Sequence, residues 1–506
     1  MRVTPPIFVI TLLIGLWITL GCWIWTVTHS FAVPDPWWRS LAFGLLHTFS
    51  DPDLRPVAFW SMLKGFGPAL AMLFVLNALD GTNRKVYFLR GARVVEDQNL
   101  RRITKARPQQ PQIEIAGVPM PLACEPNHLL LAGSTNTGKS TAVNELLHFA
   151  LTRGDRAIVI DPNGHALARF GRKGDVILNP FDKRAPGWSI FNELRKPYDV
   201  ERFAKSVIPD TGDSSAQQWH GYAQQLFAET ARALTQNGET STERLLYWLT
   251  QATADELRGL LAGSAASGLF EPGAEKALAS TRFILSHHVG AFQYLRPGAF
   301  SLRAWLETGE GNLYITWRED MLTTLRPLVS AWADILIASI LTLPDNQPRS
   351  LWLVLDELAS LERLTSLEAG LTKGRKHGLR VVAGLQSVSQ LDALYGAYNA
   401  KTLRSCFRNL LALGCSNADP HTAKEISDGL GQCEVERTQT SYTDSRDGRT
   451  SSTCKQRTTE PAVLAAELMS LPPLHGFLKF AGDYPIGKIR LVPLDHPVRA
   501  KAFVER

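Results

Sequence analysis

The chain has 506 residues, too many for one compact core, and its 45% hydrophobic and 20% charged residues exclude pervasive disorder. A net charge of +6 admits a nucleic-acid or membrane-surface partner without choosing between them. The six cysteines, Cys22, Cys124, Cys406, Cys415, Cys433 and Cys454, form no C-x-x-C pair, which argues against a disulfide framework and a zinc site and fits a reducing compartment.

In chain order, Ile7 to Val27 carries no charge and is long enough to cross the hydrocarbon core as a helix. It ends in tryptophans rather than in a small-residue cleavage site, so a spanning helix fits better than a signal peptide. Val57 to Leu79 is apolar apart from Lys64, which is close enough to the segment's start to snorkel, and makes a second span. The segment between holds Arg39 and Arg55 against Asp35, Asp51 and Asp53, while Arg84, Lys85, Arg90, Arg93, Arg101, Arg102, Lys105 and Arg107 follow the second span. The positive-inside rule then places both termini in the cytoplasm, with residues 1–85 as a two-helix membrane anchor. "RPQQPQ", Arg107 to Gln112, marks the start of the soluble part.

Beyond it, "HLLLAG", "RAIVID" and "DVILNP" read as buried parallel strands, with an amphipathic helix between the first two that stops at Gly154. Residues 186–300 read as all helical, the longest helix being "SSAQQWHGYAQQLFAETARALTQNG", in which Trp219 is a candidate for stacking on a base or for ordinary packing. Strands resume at "NLYITW", "LWLVLDE", "RVVAGLQS" and "NLLALGC". The expected fold is therefore α/β, a P-loop nucleotide-binding domain in two parts, residues 86–185 and 301–506, interrupted by an all-α domain of residues 186–300. Near the end, "TQTSYTDSRDGRTSSTCKQRT" predicts an exposed β-hairpin turning at Asp447-Gly448.

The chemistry begins with Gly133-Ser134-Thr135-Asn136-Thr137-Gly138-Lys139-Ser140-Thr141. Its glycines let successive backbone N–H groups face phosphates at a helix N-terminus, with Lys139 reaching the β- and γ-phosphates of ATP and the Ser140 hydroxyl ligating Mg²⁺. The strand "LWLVL" delivers Asp356 for the Mg²⁺ shell and Glu357 to deprotonate the attacking water. Gln386, ending "RVVAGLQ", is placed to contact the γ-phosphate. Phosphoryl transfer also needs a cation against the developing charge, and the candidates are Arg375, after a long helix expected to follow the Walker B strand, and Arg318. His287-His288 lacks a third ligand at usable spacing and reads as structural. "SDGLGQ" only superficially echoes the signature of ABC-type engines.

The segments "LLLAGSTNTGKST", "IVIDPNG", "WSIFNEL", "LWLVLDELASLERLTSLEAGLTKGRKHGLRVVAGLQSVSQLDALYG" and "EISDGLGQCEVERTQTSYT", together with the layout, resemble the type IV secretion coupling proteins of the TrwB and TraD kind. That resemblance implies a RecA-like ATPase of the bacterial inner membrane, a homo-hexamer around a central channel. It would link the relaxase-containing relaxosome to the type IV secretion channel proteins and pump single-stranded DNA in conjugation. It also implies that the helical insertion is the recognition domain near the channel mouth. One departure is that the chain ends soon after "YPIGKIRLVPLDHP", without the long tail some relatives use to contact partners. The alternatives are an ATPase that delivers protein substrates and an adaptor in which ATP binding is a switch.

Overall fold

The computed structural model describes residues 5–30, 37–80, 86–106, 108, 110–211, 214–308, 310–346, 349–445 and 448–506. They form two units, residues 1–90 with 434–460 and residues 91–433 with 461–506. In chain order the strands are β1 (Val86–Gly91), β2 (Val94–Glu96), β3 (Glu114–Ile115), β4 (Val118–Pro119), β5 (Leu129–Ala132), β6 (Arg156–Pro162), β7 (Val176–Leu178) and β8 (Leu313–Trp317). They continue with β9 (Leu351–Leu355), β10 (Leu379–Leu385), β11 (Asn409–Leu413), β12 (Gln432–Ser445), β13 (Gly448–Pro461), β14 (His475–Lys479) and β15 (Ile486–Arg490).

In the first unit the helices Pro5–Ser30 and Leu54–Asp80 have 26 and 27 residues, each about 40 Å long at 1.5 Å per residue, against a hydrocarbon core of about 30 Å. They pack together where side chains are small: a Cβ on Gly65 would lie 2.6 Å from the Gly15 carbonyl oxygen and 2.8 Å from the Thr19 nitrogen. Leu13–Ser30 is long and apolar enough to cross a membrane. β1, β12 and β13 form a three-stranded sheet in that order. β12 and β13 are the arms of the expected hairpin, and Asp447 of its turn lies outside the described residues.

The second unit is organised by a ten-stranded sheet of order β2-β15-β14-β11-β5-β10-β9-β6-β8-β7. From β11 to β7 every neighbouring pair is parallel, while β14 runs antiparallel to both β11 and β15. The central strands β5, β9 and β10 are wholly buried, as sheets covered on both faces require, which is why they read as continuous apolar runs rather than alternating ones. Helix Leu322–Ile340 packs into the core, so the apolar window Glu319–Ile340 is a buried core helix although its length and composition would also suit a membrane.

Between β7 and β8 the described residues form helices and no strand, apart from two isolated bridges, one from Asp182 to Glu505 and one between Trp188 and Phe300. The bridge between Trp188 and Phe300 marks where the helical stretch leaves the sheet and returns to it. Its seam is closed by Glu193, which is fully buried and accepts hydrogen bonds from Trp188 Nε1 (2.8 Å), Leu302 N (2.8 Å), Arg303 N (3.1 Å) and Ser301 Oγ (3.1 Å). Burial pushes its carboxyl above the usual range, and these four donors pull it back. The backbones at Gly187 and Gly298 approach so closely that a Cβ on Gly298 would meet the Gly187 Cα at 2.6 Å.

Glu193→Ala strands four buried donors at once, at about 1–3 kcal/mol for each left unsatisfied. The expected outcome is a loss of several kcal/mol, with hydrogen-exchange protection lost first in residues 188–193 and 299–303. Unchanged protection there would show that apolar packing alone closes the seam.

Candidate functional site

The turn after β5 is held by its own backbone and by neighbouring strands. Gly133 N donates to the Leu385 carbonyl (3.0 Å), Ser134 N and Oγ both donate to the Gly414 carbonyl (2.8 and 3.0 Å), and Thr137 Oγ1 donates to the Ser134 carbonyl (2.8 Å). Asn136 and Gly138 have positive φ, 61° and 116°. At Gly138 a side chain is excluded as well, because a Cβ would sit 2.9 Å from a Leu491 methyl and 3.0 Å from a Leu474 methyl. Helix Lys139–Arg153 starts directly after this turn, so its first N–H groups, which have no partner inside the helix, face the space above β5. Lys139 folds back over the turn, its Nζ donating to the Gly133 (2.6 Å) and Ser134 (3.0 Å) carbonyls. Burial lowers its pKa, against the opposing charges of Glu357 and Asp356.

Two carboxylates face this ammonium. Ser140 Oγ donates to Asp356, 3.2 Å from Oδ2 and 3.4 Å from Oδ1. Glu357 has both carboxylate oxygens buried without a well-directed hydrogen bond. Burial raises both carboxyls above the usual range, and Lys139 opposes the shift in each. At Glu357 the Gln386 amide and the Ala359 N–H lie near enough to pull the same way as Lys139. Thr135 Oγ1 lies 3.4 Å from Gln386 Oε1.

Thr135, Asn136, Gly138, Lys139, Ser140, Thr141, Asp356, Glu357 and Gln386 thus line one cavity of about 560 Å³. Gly133, Ser134 and Thr137 shape the turn without lining it. Arg375 is elsewhere: it is exposed in the turn Gly374–His377 that precedes β10, whereas Gln386 follows the strand's other end. Arg318 follows Trp317 of the cavity wall but pairs with Asp320 at 2.5 Å and stays half exposed. Trp219 is part-buried against Tyr222 in helix Ser214–Gln236. The long helix expected after the Walker B strand is absent: Leu358–Ser360 is a single 3₁₀ turn and the next helix is only Leu367–Lys373. Side chains of helix Leu322–Ile340 hold the intervening backbone, Arg326 Nη2 donating to the Ala359 and Leu361 carbonyls, Ser330 Oγ accepting from Glu362 N and Asp334 Oδ1 from Ser366 N. Those contacts outweigh local helix preference.

Pro162, Trp317, Glu319, Leu322, Ser360 and Leu474, none of them a candidate site residue from the sequence, also line the cavity. Pro162 and Trp317 end β6 and β8, so the rule that parallel sheets bind ligands at strand C-termini was the available signal. Asp161, beside Pro162, is buried and accepts from the Ala166 (3.0 Å) and Leu167 (2.7 Å) amides, which fixes the start of helix His165–Phe170 at the cavity rim. Burial pushes its carboxyl up to about 7 despite those amides. Leu474 arrives from 333 residues beyond Thr141 with no local motif, its N–H donating to the Thr137 carbonyl (3.0 Å).

The family model described as "Type IV secretion-system coupling protein DNA-binding domain" matches residues 112–492. Coupling protein TraD of Escherichia coli K12 is 29% identical over 434 residues, covering 82% of this chain but only 60% of TraD. The solved structure of the bacterial conjugative coupling protein TrwBdeltaN70 is 48% identical, covers 83% of this chain and 97% of its own, and superposes with a TM-score of 0.78. A second structure, plasmid coupling protein TrwB in complex with ADP and Mg²⁺, is also 48% identical, covering 84% of this chain and 99% of its own, with a TM-score of 0.77.

Lys139→Ala should leave the fold intact by circular dichroism and weaken binding of a fluorescent ATP analogue about 10- to 100-fold. That factor corresponds to the 1.5–3 kcal/mol typical of hydrogen bonds to charged groups. Unchanged binding would remove Lys139 from the phosphate site.

Proposed function

The chain belongs to the type IV secretion-system coupling proteins, and from that premise we propose that it is a membrane-anchored, RecA-like ATPase that links a relaxosome to a type IV secretion channel and moves single-stranded DNA. The observation that carries the ATPase reading is Ser140 hydrogen-bonded to Asp356 beside a buried Glu357 whose oxygens have no directed partner. A carboxylate left in that state beside a phosphate-binding turn is poised to take a proton.

The residues fit a magnesium nucleotide. Gly138, at positive φ and with Leu491 and Leu474 leaving no room for a Cβ, fixes the turn whose N–H groups would meet phosphate, and Lys139 supplies a cation already held over the turn. Ser140 and Asp356 together would hold Mg²⁺, which when bound neutralises charge developing on the transferred phosphoryl group. Glu357 Oε1 or Oε2 accepts the proton of the attacking water, and the Gln386 amide steadies that carboxylate from the neighbouring strand. Thr135 orients Gln386 in turn, so loss of the γ-phosphate is felt along β10.

The cation that completes the site is, in this reading, Arg375 of an adjacent subunit in a homo-hexamer. Its exposure at the edge opposite its own cavity is what supports a role in trans. Residues 1–85 form the anchor in the bacterial inner membrane, with spans at about 7–27 and 57–79 and both termini cytoplasmic. The apolar window Leu13–Ser30 and the basic residues after Leu79 support this. Residues 86–185 and 301–506 build the nucleotide-binding domain, and residues 186–300 the all-α domain that faces substrate.

Glu357→Gln keeps the shape of the site but removes the base. It should bind ATP normally and lose about 10²–10⁴-fold in turnover, the contribution typical of general base catalysis. In the unaltered protein, hydrolysis should rise with the length of added single-stranded DNA. Stimulation by protein substrate alone would favour a protein-delivering ATPase, and binding without turnover an ATP-switched adaptor.

Arg375→Ala should preserve ATP affinity and lower hydrolysis by about 10³-fold or more, as removal of an arginine finger does. Mixing Arg375→Ala with Lys139→Ala subunits should restore part of the activity, because some interfaces would then pair an intact turn with an intact finger. Mixed assemblies as inactive as either parent would transfer the role to Arg318.

A further inference from the structure

Helix Glu275–Val289 closes on two successive histidines, and the fold brings Glu362 to them from 75 residues further along. His287 Nε2 lies 3.3 Å from one Glu362 carboxylate oxygen and His288 Nδ1 lies 3.2 Å from the other. All three donor groups fall within 4.8 Å of one another. His288 is only 5% exposed. Its Nδ1 and the facing Glu362 Oε2 are both buried and in contact, but without a well-directed hydrogen bond. The backbone that carries this carboxylate is anchored, because Glu362 N donates to Ser330 Oγ (2.8 Å) on the core helix. A cavity of about 480 Å³ opens beside the cluster, its lining including Asp210, His220, His288, Glu362 and the cationic Arg363.

The poorly directed contact leaves both buried atoms short of a full partner, where an unsatisfied buried polar group costs about 1–3 kcal/mol. Adjacent ligands of a tetrahedral ion with bonds of about 2.0–2.1 Å stand about 3.3 Å apart; here each imidazole nitrogen has that spacing to one or the other oxygen of Glu362. We propose that His287, His288 and Glu362 bind one divalent transition-metal ion of the zinc class. Two imidazoles and a carboxylate form the donor set such ions take and Mg²⁺ does not favour. The cavity leaves a fourth position for water or an exchangeable ligand. The ion ties the last turn of a helix in the inserted stretch to the backbone that starts at Asp356 and Glu357, so its occupancy stiffens the path between the nucleotide cavity and that helix.

The test is calorimetric titration of the full chain in detergent, stripped by chelator and kept in excess Mg²⁺, with Zn²⁺, and a parallel titration with Co²⁺ read by visible absorption. One Zn²⁺ per chain and a Co²⁺ spectrum of nitrogen and oxygen ligation are expected. His287→Ala, at the exposed ligand, and Glu362→Gln should each weaken Zn²⁺ binding by at least about tenfold, since even outer-shell partners are worth 10–100-fold. Should Glu362→Gln fail to fold by circular dichroism, His287→Ala decides. Absence of saturable binding at one ion per chain, or unchanged affinity in His287→Ala, overturns the site.

Discussion

Three parallel strands must end level with one another for the nucleotide cavity to exist, and the backbone ladder of β5, β10 and β9 sets that level. Its register places Leu385 beside Ala132 and Ala383 beside Leu355, so the turn after β5 and Gln386 leave the sheet at the same height and Asp356 two residues below them. Gly384 permits the arrangement, because any Cβ there would run into the carbonyl oxygen of Asp356. A slip of one residue would turn every side chain to the other face of the sheet and disperse the site.

The same ladder accounts for the electrostatics. With β10 between them, the turn after β5 and the carboxylates after β9 are separated by one strand, near enough for Ser140 to reach Asp356 and for Lys139 to offset the charge of both carboxylates. Two acids and one ammonium share a buried space in which each would be costly alone. Lys139 is meanwhile satisfied by the carbonyls of its own turn, so the site keeps its shape through hydrogen bonds internal to it.

Helix Leu322–Ile340 carries this order outward. Arg326, Ser330 and Asp334 bind the backbone from Ala359 to Ser366, and Asp334 also accepts from Ser206 in the helical stretch (2.5 Å). Asp334 is completely buried and its carboxyl is raised by that burial, so the three hydrogen bonds it accepts from Ser206 and Ser366 are what make it tolerable in the core. One helix therefore touches the segment leaving the cavity's two carboxylates and the helices inserted between β7 and β8. Glu193 closes the other end of that insertion. Movement at the cavity rim has a short, hydrogen-bonded route to the inserted helices.

Local sequence determined the parts whose chemistry is contiguous. The turn from Gly133 to Thr141, the apolar strands and the carboxylates that end one of them are legible because phosphate binding needs neighbouring N–H groups and because strands buried on both faces must be continuously apolar. The all-helical run was legible from its periodicity. Tertiary structure decided what depends on distant partners: that β10 lies between β5 and β9, that Leu474 covers the turn, and that Ala359 to Ser366 is drawn out of helix by Arg326, Ser330 and Asp334. It also decided that Glu362 meets His287 and His288. The physical reason is that propensity and motif spacing act over a few residues, whereas strand order and the satisfaction of buried polar groups are settled only when segments hundreds of residues apart compete for the same core.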